Sequence, residues 1–428
     1  MLNLRIYSQD IFKTNFLLLF FSLTISFTKT TIIHSELINV IRSLLFILYG
    51  LTSFLSIILI LRKGKFKLKS LLLIFFSIIL ISFGSLSAVI NGGSDYFDFN
   101  FIINLLSTFS SIFSISLIHE LNDKDHNFID NGLAYYFLFL FLLLISCGGI
   151  LFENFPRFNF EYITQLRDVQ SALYSQGTTK AFGFASILFL GLFYRERNYG
   201  YLSTKFRLPI KGKAINIFLL FFTLFFFSLC VLGGARGDFI FAFIVLISTS
   251  LLIKPFKSLT FFILLILSIL FFISRFYSFD ELYANISLIR RIAAVTDSNF
   301  GDRDILIIKA LDIIKSDPSL LIFGKGLNYF QYFYGLEYSD YPHNSIFEFI
   351  ITFGLPISIL FFVFTLRGII ITFKDYKVKR IYYLLFFYLV LLGLKSGAIL
   401  TPLQFGATLF FFIEGISKNF ISRKEIKK

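Results

Sequence analysis

His343 and Asn344 stand in the stretch YPHNSIFEFIITFGLP, from Tyr341 to Pro356, at the lip of an apolar run, and they are the residues best suited to acid-base chemistry. Pro342 just before them suits the first turn of a helix, which puts the imidazole at the positive end of that helix's dipole. The field favours the neutral ring, and a neutral imidazole can accept a proton from a hydroxyl near neutral pH. The competing reading is a histidine at a membrane boundary, hydrogen-bonded to a loop carbonyl. Glu348 lies about one and a half turns further on, inside the apolar run. An ionisable side chain in that setting marks a functional hypothesis, either orienting a polar network or pairing with Lys395.

Four arginines offer the matching electrostatics. Arg236, in LGGARGDF, stands in a very short turn between two apolar runs, with glycines on either side that allow backbone and ligand to approach closely. Its planar fork suits a phosphate, and the alternative is a snorkelling side chain that anchors two helix ends. Arg303 opens the segment DRDILIIKALDIIKSDP, in which Leu306, Ile307, Ala310, Ile313 and Ile314 share one helical face while Asp304, Asp312 and Lys315 share the other. Asp302 can cap that helix and Pro318 follows its end. Arg303 falls on the side of Leu306 and Ala310, toward whatever the helix covers. Arg290 and Arg291, in LIRRIAAVTD, precede it. Several arginines outside one leaflet can neutralise a diphosphate leaving group. Salt bridges to Asp297, Asp302 or Asp304 are the competing role.

The elements that must position these residues are membrane helices. Of 428 residues 56% are hydrophobic and 15% charged, so the chain has too little polar surface for a soluble protein of its size. The net charge of +14 would suggest nucleic acid in a soluble chain, but in a polytopic membrane protein the placement of charge decides. About twelve apolar runs approach membrane-spanning length, among them 70–90, 101–118, 178–194, 214–232, 237–253, 342–365, 381–395 and 398–416. The blocks RKGKFKLK from Arg62 and KDYKVKR from Lys374, with the tail after Ser417, place Lys and Arg on the cytoplasmic side together with both termini. Two segments on the other side exceed a simple turn, 152–177 and 275–341, and the larger holds the amphipathic helix. The expected fold class is therefore all-α: one polytopic integral membrane domain over 1–428 with a large external loop.

Other chemistries find no support in the spacing of residues. His34, His119 and His126 make no metal-ligand pattern with neighbouring acidic residues, so no metal is expected. No GxxxxGKS/T phosphate-cradling loop occurs. Cys147 and Cys230 fall within apolar runs, where cysteine behaves as a small hydrophobe.

The order of the pieces resembles the O-antigen polymerase and O-antigen ligase superfamily. The Arg236-Gly237 turn comes first, then the external loop with Arg303, Pro318 and a Gly-x-Gly at Gly324 and Gly326, then His343-Asn344 opening the next span with Gly354 ten residues after Asn344. Gln176, Gly177 and Thr178 resemble the family's first patch without its usual Asn, and the family's loop Trp has no counterpart in a chain without Trp. The resemblance covers about 166–360. It implies a GT-C-like, all-helical glycosyltransferase of the bacterial inner membrane that acts on polyprenyl-diphosphate-linked oligosaccharides without metal or other cofactor. The arginines would hold the diphosphate, His343 would assist the acceptor hydroxyl, and Asn344 and Glu348 would support it. A second lipid-linked repeat unit is the acceptor for a polymerase, and a lipid A core sugar for a ligase. A flippase or transporter of the same lipid is a third reading. A chain-length regulator and a flippase are the implied partners, with no nucleic acid.

Overall fold

The computed structural model describes residues 67–121, 175–199, 212–232, 236–253, 302–336, 341–374, 382–396 and 398–425, with isolated positions between 44 and 58. Among these residues the chain is helical and has no strand. The helices are α1 (Leu68–Asn91), α2 (Phe99–Leu121), α3 (Ser175–Tyr199), α4 (Gly212–Leu232), α5 (Arg236–Ile253), α6 (Asp302–Ser316), α7 (Pro318–Phe323), α8 (Tyr329–Tyr334), α9 (Ser345–Phe353), α10 (Leu355–Lys374), α11 (Tyr382–Ser396) and α12 (Pro402–Glu425). A short 3-10 helix, Gly93–Tyr96, links α1 to α2. Seven of the apolar runs named above correspond to single helices, while runs before residue 67 and near 133–151 and 258–274 lie outside the described residues.

Among the described residues two helices, α1 and the Leu355–Phe373 part of α10, are long and apolar enough to cross a membrane. Shorter apolar helices occur in α2, α4, α5, α11 and α12. In α1 and α10 the exposed side chains carry no charge and, Ser82 apart, are apolar, with Phe75 57%, Leu86 63% and Val363 56% exposed. A water-facing helix would put charge there, whereas a lipid-facing one needs none.

Close packing inside the bundle relies on small residues and rings. Gly368 on α10 and Gly415 on α12 face each other so tightly that a Cβ on either would overlap the partner's backbone, at Phe411 O and Phe364 O respectively. Phe189 on α3 stacks on Phe222 and Phe226 of α4, with both centroid separations 5.3 Å. At the other side of α12, Thr108 of α2 donates to Leu400 O at 3.1 Å, and Lys69 on α1 pairs with Glu414 at 2.8 Å.

The expected continuous span over 342–365 is two helices instead. Pro356 has no N–H to give to Thr352 O, and its ring would clash with that carbonyl in an unbroken helix. The chain breaks at Gly354, at φ 80°, and α10 starts afresh at Leu355. Glu348 thus lies in a nine-residue helix ahead of the spanning one.

Candidate active site

The break at Gly354 leaves the last carbonyls of α9 without intrahelical donors. The loop after α7 supplies them: Lys325 N donates to Ile351 O at 2.8 Å and Gly326 N to Thr352 O at 3.1 Å. The next amide, Leu327 N, donates to Gly84 O of α1 at 2.9 Å. Such close backbone contact leaves no space for side chains. A Cβ at Gly324 would overlap Thr352 O, one at Gly326 the backbone of Ala88, and one at Gly354 would lie 2.8 Å from the Ile322 carbonyl carbon. Gly324 and Gly326 also have positive φ, 67° and 91°. The Gly-x-Gly and the glycine after His-Asn are therefore one backbone joint that clamps the loop after α7 onto α1 and α9. Asp317, the N-cap of α7, steadies the joint through Lys325 at 2.9 Å. The hydrogen bond from the Ser319 hydroxyl, with Lys325 beside it, lowers the Asp317 carboxyl to about 2.

The amphipathic helix α6 lies over α9. Ala310 and Ile313 are buried with Leu320, Phe330 and Ile351, and Leu306 and Ile314 pack against them, as the periodicity predicts. The opposite face is less polar than expected, since Ile305 and Ile308 are each 56% exposed beside Asp312. Arg303 is the second residue of α6. Arg290 and Arg291 lie outside the described residues.

His343 sits just ahead of α9 rather than in its first turn. Asn344 is the N-cap, and its Oδ1 accepts from Ile346 N at 2.9 Å and Phe347 N at 3.4 Å. Pro342 therefore does not start the helix, and the Asn344 side chain is occupied in capping. His343 adopts φ 51°, uncommon for a residue with a side chain, and its ring lies against Tyr341 with centroids 4.2 Å apart. A left-handed residue of this kind costs of order 1 kcal/mol and is held by its surroundings. It turns the imidazole out of the helix line at the amino end of α9.

Glu348 does not meet Lys395. Its carboxyl lies near the Ile399 backbone N–H, and Oε2 is buried without a hydrogen-bond partner among the described residues. Lys395, at the end of α11, pairs instead with Asp238 of α5 at 2.9 Å. Asp238 is fully buried, two residues after Arg236, and the Tyr388 hydroxyl donates to its backbone carbonyl at 3.3 Å. Gly237 makes this possible, because a Cβ there would lie 2.5 Å from Lys395 Cδ.

The carboxyl-terminal end of α11 thus borders two of the motif-bearing elements. Lys395 ties it to the start of α5, which Arg236 opens, and Gly393 lines a cavity shared with Ser345, the first residue of α9. Reading the sequence alone missed Asp238 and Gln404. Asp238 was detectable as a carboxylate at the edge of an apolar run. Gln404 lies within such a run and gives no signal by spacing.

Among the described residues no cluster of His, Cys, Asp and Glu is arranged to hold a metal. No curated protein and no solved structure matches the chain. A family model described as O-antigen ligase does match, over residues 219–362. That region contains Arg236, the α6 to α9 assembly with its backbone joint, and His343, and the match supports the resemblance to the O-antigen ligase and polymerase superfamily.

Proposed function

We propose that the protein is a polysaccharide polymerase of the bacterial inner membrane, with about twelve spans and cytoplasmic termini. It transfers a polyprenyl-diphosphate-linked glycan onto another lipid-linked repeat unit at the outer face. The acceptor hydroxyl oxygen attacks the anomeric carbon, its proton passes to His343, and the bond to the diphosphate oxygen breaks with the electron pair leaving on the diphosphate. Arg236 and Arg303, with Arg290 and Arg291, take up the charge that develops there. The diphosphate is already an activated leaving group, so this chemistry calls for no nucleotide sugar.

The observation that supports the reading is that two motif-bearing elements of the matched region, α5 opened by Arg236 and α9 preceded by His343 and Asn344, both border the carboxyl-terminal end of α11. A base for the acceptor and a cation for the leaving group need that proximity. The family's description as ligase supports a second reading, in which the same residues deliver the glycan to a lipid A core sugar.

The lipid-linked glycans that accumulate when the protein is removed test the proposal. Single repeats are expected. Long lipid-linked chains would instead indicate the ligase, and units retained on the cytoplasmic leaflet would overturn both readings in favour of a flippase.

A further inference from the structure

Between α9, α11 and α12 lies a partly open cavity of about 20 Å³, walled by Phe349, Phe362 and Phe405. That is room for one water or one hydroxyl group. Ser345, Gly393 and Gln404 reach it from the three helices. Gln404 is 8% exposed, and its Oε1 has no hydrogen-bond partner among the described residues. Glu348 lies near Ile399, a lining residue, and its Oε2 is likewise buried without a hydrogen-bond partner among the described residues. The Gln404 atom is an acceptor. A buried acceptor left unmet costs roughly 1–3 kcal/mol, so the fold keeps it only if something donates to it in the working protein.

The position of the cavity argues for what that donor is. Ser345 directly follows His343-Asn344, and Gly393 lies two residues before Lys395, whose partner Asp238 fixes the start of α5. The cavity therefore borders the start of α9 and the end of α11 that Lys395 ties to α5. We infer that it is a hydroxyl subsite, which receives one hydroxyl of the substrate saccharide as donor to Gln404 and so sets how the acceptor lies before His343. This deepens the proposed glycan transfer and rests on it. The same O–H chemistry is available from a resident water, and the test separates the two.

Gly393→Ala is the more informative variant. An added Cβ would lie 3.4 Å from Gln404 Cβ and 3.7 Å from its Oε1, ordinary contacts, so the helix accepts it while the cavity narrows. Gln404→Leu keeps the volume and removes the acceptor. The assay uses the full-length protein reconstituted with the lipid-linked repeat units that accumulate in cells lacking it. Both variants are expected to raise the apparent KM about tenfold, the worth of one buried hydrogen bond, with saturated turnover within about twofold of wild type. Thermal stability of Gly393→Ala should equal or exceed that of wild type. If wild type transfers glycan and both variants match its KM, the cavity holds only a structural water and the inference fails. A fall in turnover at unchanged KM overturns it as well, since lost positioning of catalytic groups then explains the effect. If wild type transfers no glycan, the glycan-transfer reading itself falls and takes the subsite with it.

Discussion

Lys395→Met removes one charge from a pair whose other member has no access to water, and its cost can be worked from the geometry. Asp238 is 0% exposed; Oδ1 takes the Lys395 ammonium at 2.9 Å, and Oδ2 has no hydrogen-bond partner among the described residues. Methionine keeps most of the stem that packs on Gly237 and loses only the ammonium. Breaking a buried pair from one side typically costs 3–5 kcal/mol. The Lys395 side chain is 17% exposed, so water can reach part of the gap, and the lower end, about 3 kcal/mol, is the expected loss. In a chain of this size that lowers the midpoint of thermal denaturation in detergent by on the order of 5 °C. The double variant Asp238→Leu with Lys395→Met removes both charges and should recover most of the loss, because an apolar pair needs no counter-ion. The assay is the temperature at which half of the monodisperse protein is lost. A Lys395→Met midpoint within 1 °C of wild type, or a double variant less stable than Lys395→Met, would refute this account of how the start of α5 is held.

Three further outcomes are expected. Arg236→Lys and Arg303→Lys should each lose most glycan transfer at normal protein levels, since a point ammonium lacks the two-pronged grip on a diphosphate; wild-type rates in both would move diphosphate recognition to other residues. His343→Ala should lower turnover by about 10² to 10⁴-fold, and His343→Gln, which holds a hydroxyl but takes no proton, should be equally slow and lose the acid limb of the pH-rate profile; full turnover in the Gln variant would reduce His343 to a positioning group. Gly326→Ala, which forces a Cβ into the backbone of Ala88 at φ 91°, should cost several kcal/mol and yield little folded protein, whereas Gly335→Ala at φ 59° with nothing within 4 Å should cost only about 1 kcal/mol; equal yields of the two variants in a detergent extract would contradict the backbone-joint account.

The helices were legible because hydropathy needs no knowledge of neighbours. Runs such as 214–232 and 237–253 became α4 and α5 with shifts of one or two residues, since an apolar stretch in lipid has few ways to satisfy its backbone other than as a helix. The break within 342–365 was less legible but not hidden. Pro356 lies four residues after Thr352 and forbids the hydrogen bond that a continuous helix requires. Treating the stretch as one apolar run overlooked that local rule. Where the freed carbonyls would find donors could not have been foreseen. It depends on a loop 26 residues earlier in the chain folding back against α9.

The site divides along the same line. Residues whose function follows from side-chain chemistry, such as His343 or Arg236, can be proposed from type and setting alone. Residues whose role is to let other atoms approach cannot be assigned a role that way. Gly324, Gly326 and Gly354 form a pattern whose task the sequence does not state, and the structure gives them one: they allow Lys325 and Gly326 to reach the end of α9. Asn344 shows the opposite case. Its pairing with His343 suggested shared chemistry, yet its oxygen is committed to the amides of Ile346 and Phe347. Replacing it by Asp would preserve the cap, whereas Ala would remove about 1 kcal/mol of helix stability and loosen the support of the left-handed His343. The histidine and asparagine thus stand together because the turn that projects an imidazole from the helix line needs a capping residue directly after it, and that requirement belongs to backbone geometry before it belongs to catalysis.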